Sequence, residues 1–456
     1  MIAVYTITSG LHDEAAVSQL SDAFLKGVFP EGGFQFKGSD FSDFGTHTLD
    51  LIYVRTGGAE GIFKALLPEM LARGIDRYYL LTSGKSNSLA ASLEILSYLR
   101  QQGLKGEVLH GADAYVADRI RTLATVQEAR ARLKDMRIGV IGQPSDWLIA
   151  SHMDPMALLD RLGVRMEEVP MEELLTEIAR AEGAPAPADQ VMDRKVRDAY
   201  PGAVQIYNAL KLIVERHNLN AFTLRCFDLL STVGNTGCLA LSCFNSEGVP
   251  ASCEGDVPAL VSMMTAHALT GVSGFQANPA RIDVQTGEIL FAHCTIPFNM
   301  VEDWRFETHF ESGIGVGIHG IFPKGPVTVF KVSGDLKRHF AAEGELIGNQ
   351  YEQNLCRTQV IVRLNPADAR YFLTDPIGNH HIILPFCGNH EAAGNMAVVC
   401  SLLATCRNHD VNPRDYLNDV IGQMPYHTKA SYEELLQLLP HKWKLTHPES
   451  VMTRTT

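Results

Sequence analysis

The chain has no cysteine before Cys226, although nine occur in its 456 residues, and none of the nine falls in a C-x-x-C pair. That distribution argues against a disulfide framework or a cysteine-based structural zinc site, and it suits free thiols in a reducing compartment. Long apolar runs are missing too. No stretch approaches the roughly 18 residues that a membrane-spanning helix needs, and Met1–Thr6 reads as a strand, not as a charged signal-peptide head. Clusters of Lys and Arg are absent, and the formal net charge is −13, so nothing in the chain is suited to neutralising a phosphate backbone or an anionic membrane surface. Internal repeats and low-complexity tracts are also lacking. These absences predict a soluble cytoplasmic protein without nucleic-acid or membrane partners.

What is present is apolar material for sizeable cores, at 46% hydrophobic and 20% charged residues, and length for about three domains at the usual one per 100–200 residues. Residues 1–133 alternate β-branched runs with amphipathic stretches. Strands are predicted at Ile2–Thr8, Asp50–Arg55, Tyr78–Thr82 and Glu107–Leu109, and helices at Asp13–Lys26, Glu60–Arg73, Ser88–Gln102 and Ala112–Lys134. Such alternation implies a doubly wound parallel sheet. The pattern restarts at Arg137–Gly142, giving a second α/β domain over 134–275 with a helix at Gly202–Asn218 and a strand at Ala221–Phe227. From 276 to 456 strand-like runs dominate, at Glu288–Cys294, Gly325–Ser333, Gln359–Leu364 and His380–Leu384. They predict a β-rich, barrel-like C-terminal domain, with one late helix near Ala392–Arg407. The glycines of Gly315–Gly320 fit G-x-G-x-x-G but precede a strand rather than open a helix, so a phosphate cradle is not expected there.

Chemistry concentrates at Ala251–Leu260, where Glu254 and Asp256 stand two residues apart at a strand-to-helix junction. In doubly wound sheets ligands bind at the carboxyl ends of strands. An acid at this junction therefore serves either catalysis or the N-cap of the following helix. Both Arg225 and Asp228 lie near the end of the preceding strand. Histidines gather late, including His293, His309, His380, His381 and His390. Carboxylate and amide oxygens with one imidazole nitrogen suit Mn²⁺ or a similar divalent cation better than zinc.

Six short motifs follow one another over roughly residues 220–395: Cys253-Glu254-Gly255-Asp256, His267–Gly271, Phe275–Asn278, His293–Pro297, His309–Gly315 and Gly378–Ile383. Their order resembles that of the L-fucose and L-arabinose isomerase superfamily. The resemblance implies a metal-dependent sugar isomerase in which Glu254 binds the divalent cation and moves the substrate proton. It implies a histidine ligand at His380 or His381, with His390 as fallback; neighbouring strand residues point to opposite faces, so one of the pair reaches the cation. It places Asn278 among the ligands and His309 facing the active site, and it implies trimers or hexamers with shared sites. One departure bears on mechanism. Asn278 stands where fucose isomerases carry a second acid, and an amide oxygen ligates a hard cation but cannot shuttle a proton. Asp256, His293 or a cation-bound water would have to stand in.

The expected reaction is interconversion of an aldose and a ketose through a cis-enediol, with Glu254 and Asp256 catalytic, Glu254, Asn278, His380 and His381 as candidate ligands, and Arg225, His293, His309 and His390 facing the sugar. Two other readings fit the same scaffold: a metal-dependent enzyme acting on an acidic or sulfonated sugar, with Arg225 or Arg281 meeting the anion, and a non-catalytic sugar-binding protein.

Overall fold

Two parallel sheets and a closed barrel account for most of the computed structural model, which describes residues 1–188 and 190–385. The chain divides into two compact units, Met1–Ala131 and Arg132 onward. The first contains β1 (Ile2–Ile7), α1 (Glu14–Val28), β2 (Phe34–Gly38), β3 (Leu49–Val54), α2 (Glu60–Ala72), β4 (Arg77–Leu81), α3 (Ser88–Gln101) and β5 (Lys105–Leu109), and α4 (Asp113–Leu133) runs across the division. Its sheet is parallel in the order β2-β1-β3-β4-β5. Apolar clusters cover both faces, one around Tyr5, Ile52 and Leu80 and the other around Val4, Leu51 and Leu81, which is why these strands read as continuous apolar runs. The edge strand β2 was not anticipated. It is short, half-exposed and preceded by the turn glycines Gly32 and Gly33, so it carries little periodicity.

The second unit opens with β6 (Arg137–Ile141), α5 (Pro155–Leu162), β7 (Arg165–Val169), α6 (Met171–Arg180), α7 (Arg194–Arg216), β8 (Ala221–Leu224), α8 (Asp228–Thr232), α9 (Cys238–Ser246), β9 (Ala251–Cys253) and α10 (Val257–Thr270). The sheet is parallel in the order β7-β6-β8-β9. Helix α7 begins before the expected Gly202, because Asp193 caps it through Val196 N and Pro201 is accommodated inside.

The chain then builds β10 (Phe275–Asp283), β11 (Glu288–His293), β12 (Asp303–Glu307), β13 (Gly317–Ile321), β14 (Gly325–Val332), β15 (His339–Asn349), β16 (Thr358–Leu364), α11 (Pro366–Thr374) and β17 (His381–Pro385). Six of these strands close an antiparallel barrel, β10-β11-β16-β15-β14-β17, and β12 pairs with β13 separately. The glycine-rich Gly315–Gly320 segment runs into β13, a strand. Phe275, Phe291, Val329 and Val360 belong to the barrel core, and the same cluster takes in Val196 and Ala203 of α7 and Leu239 of α9. The barrel core thus takes in side chains of α7 and α9, while the sheet strands, with Ile141, Phe222 and Cys253, belong to a separate apolar cluster. Helix α10 packs against β8 and β9 on one side and β14 and β17 on the other. It is apolar all round because it is covered all round. Among the described residues no helix is long and apolar enough to cross a membrane. His390 and the late helix expected at Ala392–Arg407 lie outside the described residues.

Candidate active site

Glu254 follows directly on β9, with its backbone in the left-handed region at φ +67°, next to Gly255 at φ +71°. For a residue with a Cβ this conformation costs about 1–2 kcal/mol, and it persists where the surroundings over-determine it. Here the Glu254 carbonyl accepts from Ser145 N at 3.0 Å, and Gly255 N donates to Leu224 O at 3.0 Å. A Cβ at position 255 would meet Pro144 Cα at 2.6 Å and the Gln143 carbonyl oxygen at 2.7 Å, so only glycine fits. The turn directs the Glu254 carboxylate into a small cavity of about 50 Å³ that is also lined by Phe227, Thr236, Asn278, His293, His309 and Glu311.

Two histidines meet this carboxylate. His380, just before β17, places Nε2 3.3 Å from Glu254 Oε1, and His293, at the end of β11, places Nε2 4.0 Å from the same oxygen. One ligand atom from each of Glu254, His293 and His380 lies within 4.8 Å of the others, and all three residues are buried. The His380 Nε2 has no aligned hydrogen-bond partner despite its burial. A buried nitrogen left bare beside a carboxylate and a second imidazole is a donor set suited to a divalent cation. The remaining atoms are anchored. Trp147 Nε1–H donates to Glu254 Oε2 at 2.7 Å, His293 Nδ1 bonds Thr295 Oγ1 at 2.8 Å, and His380 Nδ1 bonds Asp256 Oδ2 at 2.8 Å.

Charge follows this geometry. Burial by itself would raise the Glu254 carboxyl, but the neighbouring His380, then His293 and the Trp147 hydrogen bond, outweigh it and hold the group down at about 2. Burial works against a charged His380, yet Glu254 and Asp256 lift it to about 9. His293, with burial dominant, falls to about 3. Burial also opposes ionisation of Asp256, and the Lys331 ammonium and His380 hold its carboxyl well below the usual carboxylate range.

Several residues singled out in the sequence sit elsewhere. Asp256 is the N-cap of α10, accepting from Ala259 N at 2.8 Å, and it is fully buried behind His380 and outside the cavity lining. Its carboxylate is taken up by Ala259 N, Lys331 and His380. His381 points away from Glu254. Its Nε2 faces the Tyr371 hydroxyl at 3.2 Å, its Nδ1 meets the Asn379 carbonyl, and its ring packs on Phe340 and Phe372, while the possible ligand group around Glu254 contains His380. Arg225 donates to Asp228, Asp146 and the Pro144 carbonyl and lines a separate crevice with Gly142 and Glu168, so it does not face the cavity. Arg281 is exposed and paired with Glu352. By contrast, Asn278 and His309 line the cavity, and His293, expected to face the sugar, joins the possible ligand group.

Three contributors were not found from sequence. Trp147 lay in a loop at a strand's carboxyl end, a position that could have suggested it. Glu311 lies inside a quoted motif, and burial together with the Glu254 charge raises its carboxyl. Lys331 had the clearest signal: it shares strand parity with Val327 and Val329, both core residues, so its side chain had to enter the interior.

The chain is 26% identical over 225 residues to a sulfoquinovose isomerase of Alkalicoccus urumqiensis, covering 46% of this chain and 49% of the relative. It is 25% identical over 279 residues to one of Priestia aryabhattai, covering 56% and 61%, and 26% identical over 230 residues to one of a Clostridium strain, covering 47% and 49%. The chain thus spans about half to three fifths of the length of these curated relatives. The family pattern described as the IS66 C-terminal element matches residues 401–441, outside the described residues. Over about half of its length the chain is similar to these sugar isomerases.

Proposed function

We propose that the protein is an aldose–ketose isomerase acting on a sulfonated sugar, with a divalent cation, Mn²⁺ or a similar ion, at Glu254, His293 and His380. The observation that carries the reading is the buried meeting of these three side chains with a bare His380 Nε2, and the names of the relatives supply the sulfonated substrate. When bound, the cation supplies Lewis-acid polarisation of the sugar carbonyl, worth several kcal/mol. Glu254 takes the C2 proton of the open-chain sugar, leaving a cis-enediol, and returns it at C1. Its low pKa keeps it ionised at neutral pH, and the Trp147 bond fixes its plane. His309 and Asn278 orient the hydroxyl groups from the cavity wall. Glu311, the second carboxylate at that wall, is the group placed to exchange hydroxyl protons where Asn278 cannot. A cytoplasmic homo-oligomer, trimer or hexamer, belongs to the same reading.

The test is proton NMR in deuterated water with Mg²⁺ as a diamagnetic ion in place of Mn²⁺, comparing a 6-sulfonated aldohexose with its unsulfonated parent. Deuterium entering at C1 of the ketose as it forms, and at C2 of the aldose returned from the enediol, faster for the sulfonated sugar and lost on chelation, is the expected result. Equal rates for both sugars would remove the sulfonate from the reading. No exchange with either would leave a sugar-binding protein.

A further inference from the structure

Lys331 is 1% exposed and Asp256 is 0% exposed. The ammonium of Lys331, on barrel strand β14, lies 3.4 Å from Asp256 Oδ1 and 3.3 Å from Oδ2, at the start of α10. Burying two charges is costly, and a well-packed apolar pair is often at least as stable. Stability therefore does not explain the pair. Capping does not explain it either, since an Asn or Ser side chain would serve Ala259 N as well as an aspartate does. What the pair adds is orientation. Lys331 engages both carboxylate oxygens, which fixes the rotation of the carboxylate and sets Oδ2 2.8 Å from His380 Nδ1. An ionised carboxylate only accepts, so the hydrogen of this bond stays on Nδ1 and Nε2 is the nitrogen that gives up its proton and offers its lone pair when a cation binds. That nitrogen is the bare one facing Glu254 and His293.

We infer that Lys331, acting through Asp256, is a positioning residue that holds His380 with Nε2 presented to a divalent cation, and so sets the affinity of the site. The inference rests on the cation reading proposed above. Lys331 is not among the residues lining the cavity, so its effect reaches a ligand only through this chain of contacts. Partners behind a ligating histidine typically change metal affinity 10–100-fold.

The experiment measures Mn²⁺ binding by the EPR signal of the free ion, on the full chain without sugar, for wild type, Lys331→Met, Lys331→Gln, Asp256→Asn and the Lys331→Met/Asp256→Asn double variant. The expected result is a loss of about tenfold or more for Lys331→Met, a smaller loss for Lys331→Gln, whose amide still donates, and a double variant no weaker than the worse single. Lys331→Met within about twofold of wild type, or single losses that simply add as independent sites do, overturns the inference. Wild type that binds no Mn²⁺ overturns the cation reading itself. Should the Lys331 variants not fold, the imidazole ¹⁵N spectrum of Zn²⁺-loaded wild type decides: Nδ1 protonated and Nε2 ligated at His380 is expected, and ligation through Nδ1 overturns it.

Discussion

The indole of Trp147 donates to Glu254 Oε2 at 2.7 Å, while Oε1 of the same carboxylate faces His380 at 3.3 Å. One oxygen is thereby held by the loop after β6 and the other is left for the histidine side of the cavity. A hydrogen bond to a charged group contributes about 1.5–3 kcal/mol. Trp147→Phe keeps the ring contact with Phe227 and loses the donor. We expect turnover to fall about 10–100-fold and the melting temperature to drop by a few degrees, because the buried Glu254 carboxylate loses its donor; steady-state kinetics with thermal melts checks this.

Glu254→Gln removes the proton-moving group and should cost about 10²–10⁴ in turnover while the fold remains. Glu254→Gly should go further in one respect. It relieves the left-handed backbone at φ +67°, so a dead variant is expected that melts higher than Glu254→Gln, which also lacks the charge, by about 2–4 °C for each kcal/mol gained. Calorimetry on both variants tests whether strain is stored at this residue, and a Glu254→Gly protein that melts no higher than Glu254→Gln would show that it is not.

Binding of Mn²⁺ should depend on pH through His380. With its folded-state pKa at about 9, the ion-free protein carries a proton on this imidazole at neutral pH, and a cation must displace it. Apparent affinity should therefore climb roughly tenfold per pH unit from 6 to 8 and level off near 9, with about one proton released per ion. Stability of the ion-free protein runs the other way. A raised histidine pKa contributes fully below about 6.5 and is lost as pH passes through 9. Titration calorimetry in buffers of different ionisation enthalpy measures the released proton, and a flat affinity profile would contradict the assignment.

The adjacent histidines should separate cleanly. His380→Ala removes a candidate ligand and should abolish measurable Mn²⁺ binding. His381→Ala empties a site packed by Phe340, Tyr371 and Phe372, which should cost about 2–4 kcal/mol of stability and leave Mn²⁺ affinity within a few-fold. Chemical denaturation alongside ion titration distinguishes the two.

The sequence by itself determined the layers and the carboxylate. Alternating apolar runs and amphipathic stretches produce parallel sheets wherever they occur, period-two runs after residue 276 close into an antiparallel barrel, and a strand-to-helix junction places Glu254 at a sheet's carboxyl edge, all local consequences of chain periodicity. The tertiary structure alone decided which side chains share the cavity. Glu254 and Asp256 are two residues apart and chemically alike, but the left-handed turn sends one into the cavity and the other under α10. His380 and His381 are neighbours in the chain, and strand alternation separates them, yet which of the two faces Glu254 depends on the register in which β17 joins β10 and β14. Lys331 finds its carboxylate 75 residues away in sequence. Pairings across such distances are fixed by barrel closure and helix packing, which no local pattern encodes.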